Sequence, residues 1–465
     1  MKVIVCGAGQ VGFGIARHLA GEGNDVTVVD REASLMQRIT DTLDVRPILG
    51  HGGHPDVLEQ AGAADADVLI AVTATDEVNM VTCQVAKTLF GIDKTIARVR
   101  DANFLKPRWS RLFADEAMPI DVIISPEQEV AAAVLRRLAL PGAFDSASFF
   151  DGQCEMIGIS IGEDCPVVDT PLNQLTGLFP DLQAIVVGIR RDRRTYVPDF
   201  DDVIQPGDEA FLVTASSDTE RTLKIFGHEE REARRIALIG GGNIGFEVAK
   251  ALDAQAGRYA LSVIEASPER ARFVSEKLSR SIVLQGSGLT PEILNEAGVR
   301  ETDLLLALTN DDQVNVLTTM LALQEGCQRG LCLINDNSFQ NLVGQFGMEL
   351  AVNPRAVTVS SILGQVRRGN VSRVHAISDE SAEVLEAQIA DGSPIAGTKL
   401  RDLQLGDAMR IGMIFRKGEM VMPRGGVELK SGDRVVMFVL ADGIDQFESL
   451  LRSKDKKPAK KTAKA

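Results

Sequence analysis

Short apolar segments alternate with longer segments of helical periodicity through the first 125 residues. The apolar segments lie at residues 2–6, 25–30, 46–49, 68–72, 94–99 and 121–124. Strands that are apolar along their whole length are typical of a parallel sheet, in which helices cover both faces. The pattern therefore predicts an α/β domain, with its first helices starting near residues 11 and 32.

The same order of segments returns in the second half, where apolar strands are expected at 236–239, 260–265, 281–285, 304–308 and 331–334. The segment PDVLEQAG at 55–62 matches PEILNEAG at 291–298, and AVTATDEVN at 71–79 matches ALTNDDQVN at 307–315. The offset is 233 at the first strands and 236 afterwards, so about three residues were inserted near 254–259. A repeat of this length indicates a duplicated domain.

Each copy is followed by a helix that opens with proline, after Ser125 and after Asn353, and then by a smaller β-rich module. Serine or asparagine before such a proline is a common helix start. We therefore expect two Rossmann-like parallel-sheet domains, each followed by a small α+β domain. The predicted segments are 1–125, a linker helix at 126–143, 144–228, 233–352, a linker helix at 353–370, 371–453 and a tail at 454–465.

A glycine fingerprint follows the first strand of each copy. In such a strand-to-helix turn the glycines allow a tight bend and a close approach to a pyrophosphate, which the helix N-terminus favours. An acid at the end of the next strand accepts hydrogen bonds from ribose and favours NAD over NADP, although Arg31 beside Asp30 weakens that preference. The candidate residues are Gly7, Ala8, Gly9, Gln10, Val11, Gly12 and Asp30 in the first copy, and Gly240, Gly241, Gly242, Asn243, Ile244, Gly245 and Glu265 in the second.

Polar residues also end the fourth and fifth strands of the first copy, where open α/β sheets bind ligands. Thr73 and Ala74 are either ligand contacts or the ends of a buried strand. Arg98 is positioned either to reach a phosphate or adenine or to form a surface ion pair. Because Leu333 aligns with Arg98, the two sites should differ in affinity or in ligand.

Composition excludes several other classes of protein. The formal net charge of −15 argues against nucleic acid as a partner, because phosphate binding needs clustered Lys and Arg. The lysine-rich tail is either a disordered solubilising end or a contact for anionic lipid or RNA. No run approaches the roughly 18 to 20 apolar residues that span a bilayer, and the chain opens with a strand rather than a signal peptide. We therefore expect a cytoplasmic protein.

Residues suited to catalysis or to metal binding are sparse. The six cysteines have no CxxC spacing and are expected as reduced thiols. His51 and His54 lack the further ligands of a zinc site, so no metal is expected. His18, His228 and His375 are expected to be surface or packing residues. We expect a sensor rather than an enzyme, the alternative being an NAD-dependent oxidoreductase with two Rossmann domains.

Two further motifs, GHGGHPDVL at 50–58 and VTATDEVNM at 72–80, together with both glycine loops, resemble the TrkA family of Trk-type potassium-uptake regulatory subunits. The resemblance covers residues 1–453 and implies a KTN/RCK N-terminal domain and an RCK C-terminal domain, each present twice. It also implies binding of NAD+ or NADH, and in some members of ATP or ADP. The implied binding residues are Gly7 to Val11, Asp30, Thr73, Ala74 and Arg98 in the first copy, and Gly240 to Ile244 and Glu265 in the second.

The same resemblance implies a peripheral protein on the cytoplasmic face of the inner membrane. Its partner would be a membrane potassium-translocating subunit of the TrkH/TrkG type. Nucleotide binding would change the packing of a ring of eight RCK units, formed by a homotetramer, and so gate transport. Another interpretation is the cytosolic part of a ligand-gated channel or antiporter whose small modules bind calcium or another small ligand, with Asp199, Asp201 and Asp202 as surface carboxylates.

Overall fold

The computed structural model describes residues 1–114, 117–336, 339, 348–366, 371–377 and 381–451. The predicted basic tail at 454–465 and the end of the second linker helix at 367–370 lie outside the described residues.

The first α/β domain has a six-stranded parallel sheet in the order β3-β2-β1-β4-β5-β6. The strand order reverses between β1 and β4, and this is where such sheets bind ligands at their carboxyl ends. The strands are β1 (Lys2–Cys6), β2 (Asp25–Asp30), β3 (Arg46–Leu49), β4 (Val68–Ala71), β5 (Lys94–Arg98) and β6 (Val122–Ile124). The helices are α1 (Gln10–Gly21), α2 (Ala33–Thr42), α3 (Pro55–Gln60), α4 (Asp76–Phe90) and α5 (Pro126–Ala139).

The first small module is a five-stranded antiparallel sheet in the order β10-β9-β11-β8-β7. Buried and more exposed residues do not alternate regularly along its strands, as they would in a sheet with one face in solvent. The reason is that helices and the second small module cover this sheet. The elements are β7 (Ala143–Phe149), β8 (Cys154–Ser160), α6 (Leu172–Leu178), β9 (Ala184–Arg191), β10 (Arg194–Tyr196), β11 (Glu209–Ala215) and α7 (Thr219–Ile225).

The second α/β domain repeats the first, with a parallel sheet in the order β14-β13-β12-β15-β16-β17. The sequence pattern did not predict β17, whose four residues ELAV are too short and mixed to stand out. The strands are β12 (Arg235–Ile239), β13 (Ala260–Glu265), β14 (Ile282–Gln285), β15 (Leu304–Ala307), β16 (Arg329–Leu333) and β17 (Glu349–Val352). The helices are α8 (Asn243–Asp253), α9 (Pro268–Lys277), α10 (Pro291–Glu296) and α11 (Asp312–Glu325).

Helix α12 (Pro354–Val366) leads to the second small module, an antiparallel sheet in the order β18-β19-β22-β20-β21. Its elements are β18 (Val371–Ala376), β19 (Ala382–Gln388), β20 (Met409–Arg416), β21 (Glu419–Val421), β22 (Arg434–Leu440) and α13 (Ile444–Leu451). The predicted fold class, two Rossmann-like domains each followed by a small α+β domain, is confirmed.

Tertiary contacts divide the chain into two compact units, and each unit contains the same kind of domain from both halves. One unit combines residues 1–135 with 233–366, and the other combines 136–232 with 367–465. The α/β domains therefore lie together, as do the small modules, although they alternate along the sequence.

Helix α12 belongs to the second half but packs on the first sheet. Its Val359, Ile362 and Leu363 join the buried cluster that contains Ile15 of α1 and Ile124 of β6. The first parallel sheet is therefore covered on one side by a helix encoded more than 200 residues later.

The two small modules share an aromatic core. The ring of Phe150 stacks on Phe415 with centroids 5.3 Å apart, and Phe211 lies 5.8 Å from Phe438. Because each pair joins residues from the two modules, these rings bury apolar surface that neither module would cover alone.

A buried carboxylate also joins the two modules. Glu386 is only 1% exposed, and its Oε2 accepts a hydrogen bond from the Phe150 amide at 2.8 Å. Its Oε1 accepts from Arg434 Nε at 2.9 Å, and Arg434 Nη1 also donates to Asp151 Oδ2 at 2.8 Å. A buried charge that is paired and hydrogen-bonded in this way opposes separation of the modules.

Candidate nucleotide-binding sites

The first glycine loop is shaped by contacts that exclude side chains at two of its positions. Gly7 follows β1 with φ +113°, a conformation that favours glycine, and its amide donates to the Val29 carbonyl at 2.8 Å. A methyl group at Gly12 would collide with the carbonyl oxygen of Gly7. Gly9 is the N-cap of α1 at φ −62°, and a methyl group there would meet open space.

A cavity of about 350 Å³ opens beside this loop at the carboxyl end of the sheet. Eight of the predicted residues line it: Gly7, Gly9, Gln10, Val11, Asp30, Thr73, Ala74 and Arg98. Ala8 and Gly12, the other two predicted residues of the first copy, are buried behind the loop and support its shape.

Asp30 connects the glycine loop to the end of β2. Its Oδ2 accepts a hydrogen bond from the Ala8 amide at 2.7 Å, and its Oδ1 accepts from the Glu32 amide at 2.9 Å. A carboxylate oxygen can accept more than one hydrogen bond, so both oxygens can still accept from a ribose hydroxyl. Asp30 is therefore a fixed acceptor at the cavity wall.

Arg98 brings a half-buried positive charge to the other side of the cavity. Its Nη2 donates to the Thr73 carbonyl at 2.8 Å, and its Nε is buried without a partner among the described residues. Burial lowers the pKa of Arg98, and repulsion from Arg100 lowers it further. A guanidinium in these surroundings favours a nearby anion such as a phosphate.

Thr73 is held by the side chain of Asn79. Its amide and its hydroxyl donate to Asn79 Oδ1 at 2.8 and 2.7 Å, and Asn79 Nδ2 donates to the Arg98 carbonyl at 2.9 Å. Asn79 is fully buried, so it fixes the ends of β4 and β5 at the cavity. The threonine therefore has a structural role as well as its place in the cavity wall.

The cavity wall also contains residues that the sequence analysis did not assign to the site. His51, in the loop after β3, stacks on His54 with ring centroids 4.6 Å apart, and its Nδ1 accepts from the Gly53 amide at 3.2 Å. The motif at 50–58 is the signal that marked this loop. The unassigned wall residues are Val29, Arg31, Glu32, Leu35, Gly50, His51, Gly52, Val72, Thr75 and Val78.

The second copy repeats the geometry of the loop and its acid. Gly240 has φ +97°, and a methyl group at Gly245 would collide with the Gly240 carbonyl oxygen. Glu265 accepts hydrogen bonds from the amides of Gly241 at 2.6 Å and Ser267 at 2.8 Å. Gly242 and Asn243 are exposed, and Ile244 is half-buried at the start of α8. The candidate residues of the second copy therefore lie in the same arrangement as those of the first.

The strand ends of the second copy also repeat, except for the arginine. Thr309 donates from its amide and hydroxyl to Asn315 Oδ1 at 2.9 and 2.7 Å. Asn315 Nδ2 donates to the carbonyl of Leu333 at 3.0 Å, as Asn79 does to that of Arg98. The predicted alignment of Leu333 with Arg98 is therefore seen in the structure, and the second copy lacks that charge at this position.

Comparison with known proteins agrees with this duplicated architecture. The model of the TrkA-N domain matches residues 3–126 and 236–354, and the model of the TrkA-C domain matches residues 156–227 and 384–452. The chain belongs to the TrkA family. The matched ranges contain both glycine loops, both acids and most of each small module, without its first strand, β7 or β18.

Relatives of the family align along almost the whole chain. The chain is 50% identical over 452 residues to the Trk system potassium uptake protein TrkA of Azorhizobium caulinodans, covering 97% of this chain and 99% of the relative. It is 39% identical to the protein of that name from Halomonas elongata, over 95% of this chain and 96% of the relative. Trk system potassium uptake proteins are thus similar to this chain through both of its halves.

Solved structures share the fold at low sequence identity. The GsuK RCK domain superposes with a TM-score of 0.58 at 16% identity, over 97% of this chain and 94% of that one. A GsuK channel bound to NAD gives the same TM-score at 17% identity, over 97% of this chain and 78% of that one. At these identities the likeness establishes the RCK fold.

Two further features of the described residues concern metal binding and membrane spanning. Within the described ranges, no three His, Cys, Asp or Glu side chains are grouped so that they could hold a metal ion. In the same part of the chain, no helix combines the length and the apolar character needed to cross a membrane. All six cysteines are buried, and none of them forms a disulfide bond.

Proposed function

We propose that this chain is the nucleotide-sensing regulatory subunit of a Trk-type potassium-uptake system. It binds NAD+ or NADH, with ATP or ADP as further ligands, and gates a membrane potassium-translocating subunit from the cytoplasmic face. In this assignment residues 1–125 and 233–352 are the sensing domains, and 144–228 and 371–453 are the RCK C-terminal domains. The observation that carries the proposal is the cavity that joins a glycine loop, Asp30 and Arg98 in a chain of the TrkA family.

The cavity suits recognition of a dinucleotide. The glycine loop and the N-terminus of α1 offer backbone amides to a pyrophosphate, Asp30 offers acceptors to a ribose, and Arg98 offers a positive charge. His51 is the ring in the wall that could exchange a proton, and it is stacked on His54 and accepts from a backbone amide. These contacts favour binding over hydride transfer to a second substrate.

Gating requires that the nucleotide bind two conformations of the assembly with different affinity. The division of the chain into an α/β unit and a unit of small modules supplies separate bodies that binding can reorient. We propose that four chains form a ring of eight RCK units and that nucleotide binding changes its packing.

The proposal is tested by purifying the tagged full-length chain from membranes and identifying what accompanies it. We expect a potassium-translocating subunit, and we expect NADH or NAD+ to change potassium flux in vesicles that contain both proteins. Recovery of the chain without a transporter, or a flux that ignores every nucleotide, contradicts the proposal. Steady oxidation of NADH with a panel of carbonyl compounds would favour the oxidoreductase alternative instead.

A further inference from the structure

The two nucleotide sites differ in the position of one arginine on the helix that follows the acid. Counted from Asp30 and Glu265, residue 35 of α2 corresponds to residue 270 of α9, and residue 38 corresponds to residue 273. The first copy has Leu35 and Arg38 at these places, whereas the second has Arg270 and Phe273. The positive charge has therefore moved almost one helical turn towards the glycine loop.

In the first copy this arginine does not contribute to the cavity wall. The Arg38 guanidinium lies over the Phe13 ring, 4.3 Å from its centroid. Leu35 is the residue of α2 that lines the cavity, close to Asp30 and Glu32 in the wall. The part of the first site next to the ribose-binding acid is therefore apolar on the α2 side.

In the second copy the arginine reaches the glycine loop itself. Arg270 Nε donates to the carbonyl of Gly241 at 2.6 Å, and the guanidinium lies 5.5 Å from the Phe246 ring and 4.7 Å from the Phe273 ring. Two aromatic contacts and a hydrogen bond hold the side chain in one place. Arg270 is half-buried. It lies beside the glycine loop, in which the Gly241 amide donates a hydrogen bond to Glu265.

The remaining donors of Arg270 determine what it can recognise. Among the described residues, Nε is the only nitrogen of this guanidinium that forms a hydrogen bond, so Nη1 and Nη2 can donate to a ligand. A guanidinium with a fixed plane binds a phosphate through two parallel hydrogen bonds and favours a phosphate that carries two negative charges. The second site thus gains a phosphate-binding group next to its acid, although it lacks the charge of Arg98.

We infer that Arg270 sets the specificity of the second site and selects an adenine nucleotide that carries a doubly charged terminal phosphate or 2′-phosphate. The inference rests on the proposed function, in which both glycine loops bind nucleotides. Such a phosphate is present at the end of ADP and at the 2′ position of NADP+, whereas NAD+ contains only a pyrophosphate bridge, in which each phosphate carries one negative charge. The first site has Leu35 at this place and lacks this contact.

The test uses the full-length chain with Asp30→Ala, which weakens the first site, and measures binding of ADP, NADP+ and NAD+ by calorimetry. Arg270→Leu copies the residue of the first site, and Arg270→Lys keeps the charge without the planar fork. We expect Arg270→Leu to weaken the binding of ADP or NADP+ about 10-fold or more, because a hydrogen bond from a charged group is lost. The binding of NAD+ should weaken by less than about 3-fold, because no such bond is lost. Arg270→Lys should retain part of the affinity.

Comparison of ADP with NADP+ identifies the source of the phosphate. A loss confined to ADP places the terminal phosphate at Arg270, and a loss confined to NADP+ places the 2′-phosphate there. The reciprocal change Leu35→Arg, in a chain with Asp30 intact, should improve binding of the same ligand at the first site. Leucine fits between the two phenylalanine rings, and a thermal melt of Arg270→Leu checks that the domain remains folded.

Three outcomes overturn the inference. In the first, Arg270→Leu binds ADP and NADP+ as tightly as the parent. In the second, it binds all three nucleotides more tightly, which means that Arg270 obstructs the loop. In the third, the parent's second site prefers neither ADP nor NADP+ over NAD+. If NADH still binds the first site and still changes potassium flux, only the inference about Arg270 fails and the proposed function stands.

Discussion

At the scale of single residues, the glycines of the fingerprint have two separate roles. Gly12 allows α1 to pass the Gly7 carbonyl, where a methyl group would collide with backbone. Gly9 faces open space at an ordinary φ of −62°, so the fold alone does not require glycine there. Under the proposed function, glycine at this position leaves room for a pyrophosphate to approach the backbone.

Gly12→Ala and Gly9→Ala should therefore fail in different ways. We expect Gly12→Ala to lower the melting temperature of the α/β unit, because the loop and α1 must move apart. Gly9→Ala should melt like the wild type but bind NADH about 10-fold or more weakly, since the methyl group occupies ligand space. Calorimetry and fluorescence titration measure the two properties. Equal loss of stability in both variants would contradict this division.

Asp30 is the second residue whose role can be isolated. Asp30→Ala removes the acceptor for ribose and leaves the amides of Ala8 and Glu32 unsatisfied, so we expect the Kd for NADH to rise about 10-fold or more. Asp25→Ala, at the exposed start of the same strand, is the matched control and should not change it. Unchanged affinity in Asp30→Ala would show that the ribose lies elsewhere.

At the scale of elements, the unexpected feature is the helix that covers the first sheet. Its apolar face indicates that α12 must be buried, but sequence periodicity cannot name the surface that buries it. The structure places Leu363 and Ile362, both fully buried, in the core of the first α/β domain. The stability of the first α/β domain therefore depends on a helix from the second half.

Leu363→Ala should destabilise the first α/β domain by about 2–5 kcal/mol, the usual effect of deleting a buried leucine. Trp109 is the single tryptophan of the chain and lies in that domain, so its fluorescence in a urea titration reports this unfolding. The partly exposed Gln365→Ala is the control from the same helix, with an expected change within about 0.5 kcal/mol. A Trp109 transition unaffected by Leu363→Ala would contradict the packing.

At the scale of the whole molecule, the two units contain different chemistry. The α/β unit contains the glycine loops, whereas the unit of small modules contains the buried carboxylate of Glu386 and the half-buried side chain of Glu155. Glu155, on β8, has its Oε2 buried without a partner among the described residues. Burial raises its pKa to about 7, against the lowering effects of the Ser148 hydroxyl, Arg136 and Arg373.

This raised pKa predicts how the unit of small modules responds to pH. Below about pH 4.5 Glu155 is protonated in both the folded and the unfolded state, so the contribution of this carboxyl group to the free energy of unfolding is fully present. As pH rises towards about 7, the unfolded state releases the Glu155 proton more readily than the folded state does. The contribution of Glu155 to the free energy of unfolding is therefore lost. Thermal melts of Glu155→Gln should lack this part of the decline between pH 5 and about 7. An identical pH profile in both proteins would contradict the assignment.

Much of the candidate site could be predicted because its signals are local. A strand that runs into a glycine loop, and an acid at the end of the next strand, are short-range patterns, and the repeat displayed each of them twice. His51 was not assigned because one histidine in a loop gives no periodic signal. Arg270 was not assigned either, because its importance depends on which way a helical side chain points relative to the Gly241 carbonyl.

Local pattern and repetition alone established the parallel sheets, the two glycine loops, Asp30 and Glu265, the duplication and the family. These follow from hydrophobic periodicity and from the backbone requirements of glycine, which act within a few residues. Only the tertiary structure decided that α12 covers the first sheet, that the small modules share one core and that Arg270 reaches the second loop. Apolar surface determines that a face must be buried, but the partner that buries it is selected by long-range packing, which no local pattern records.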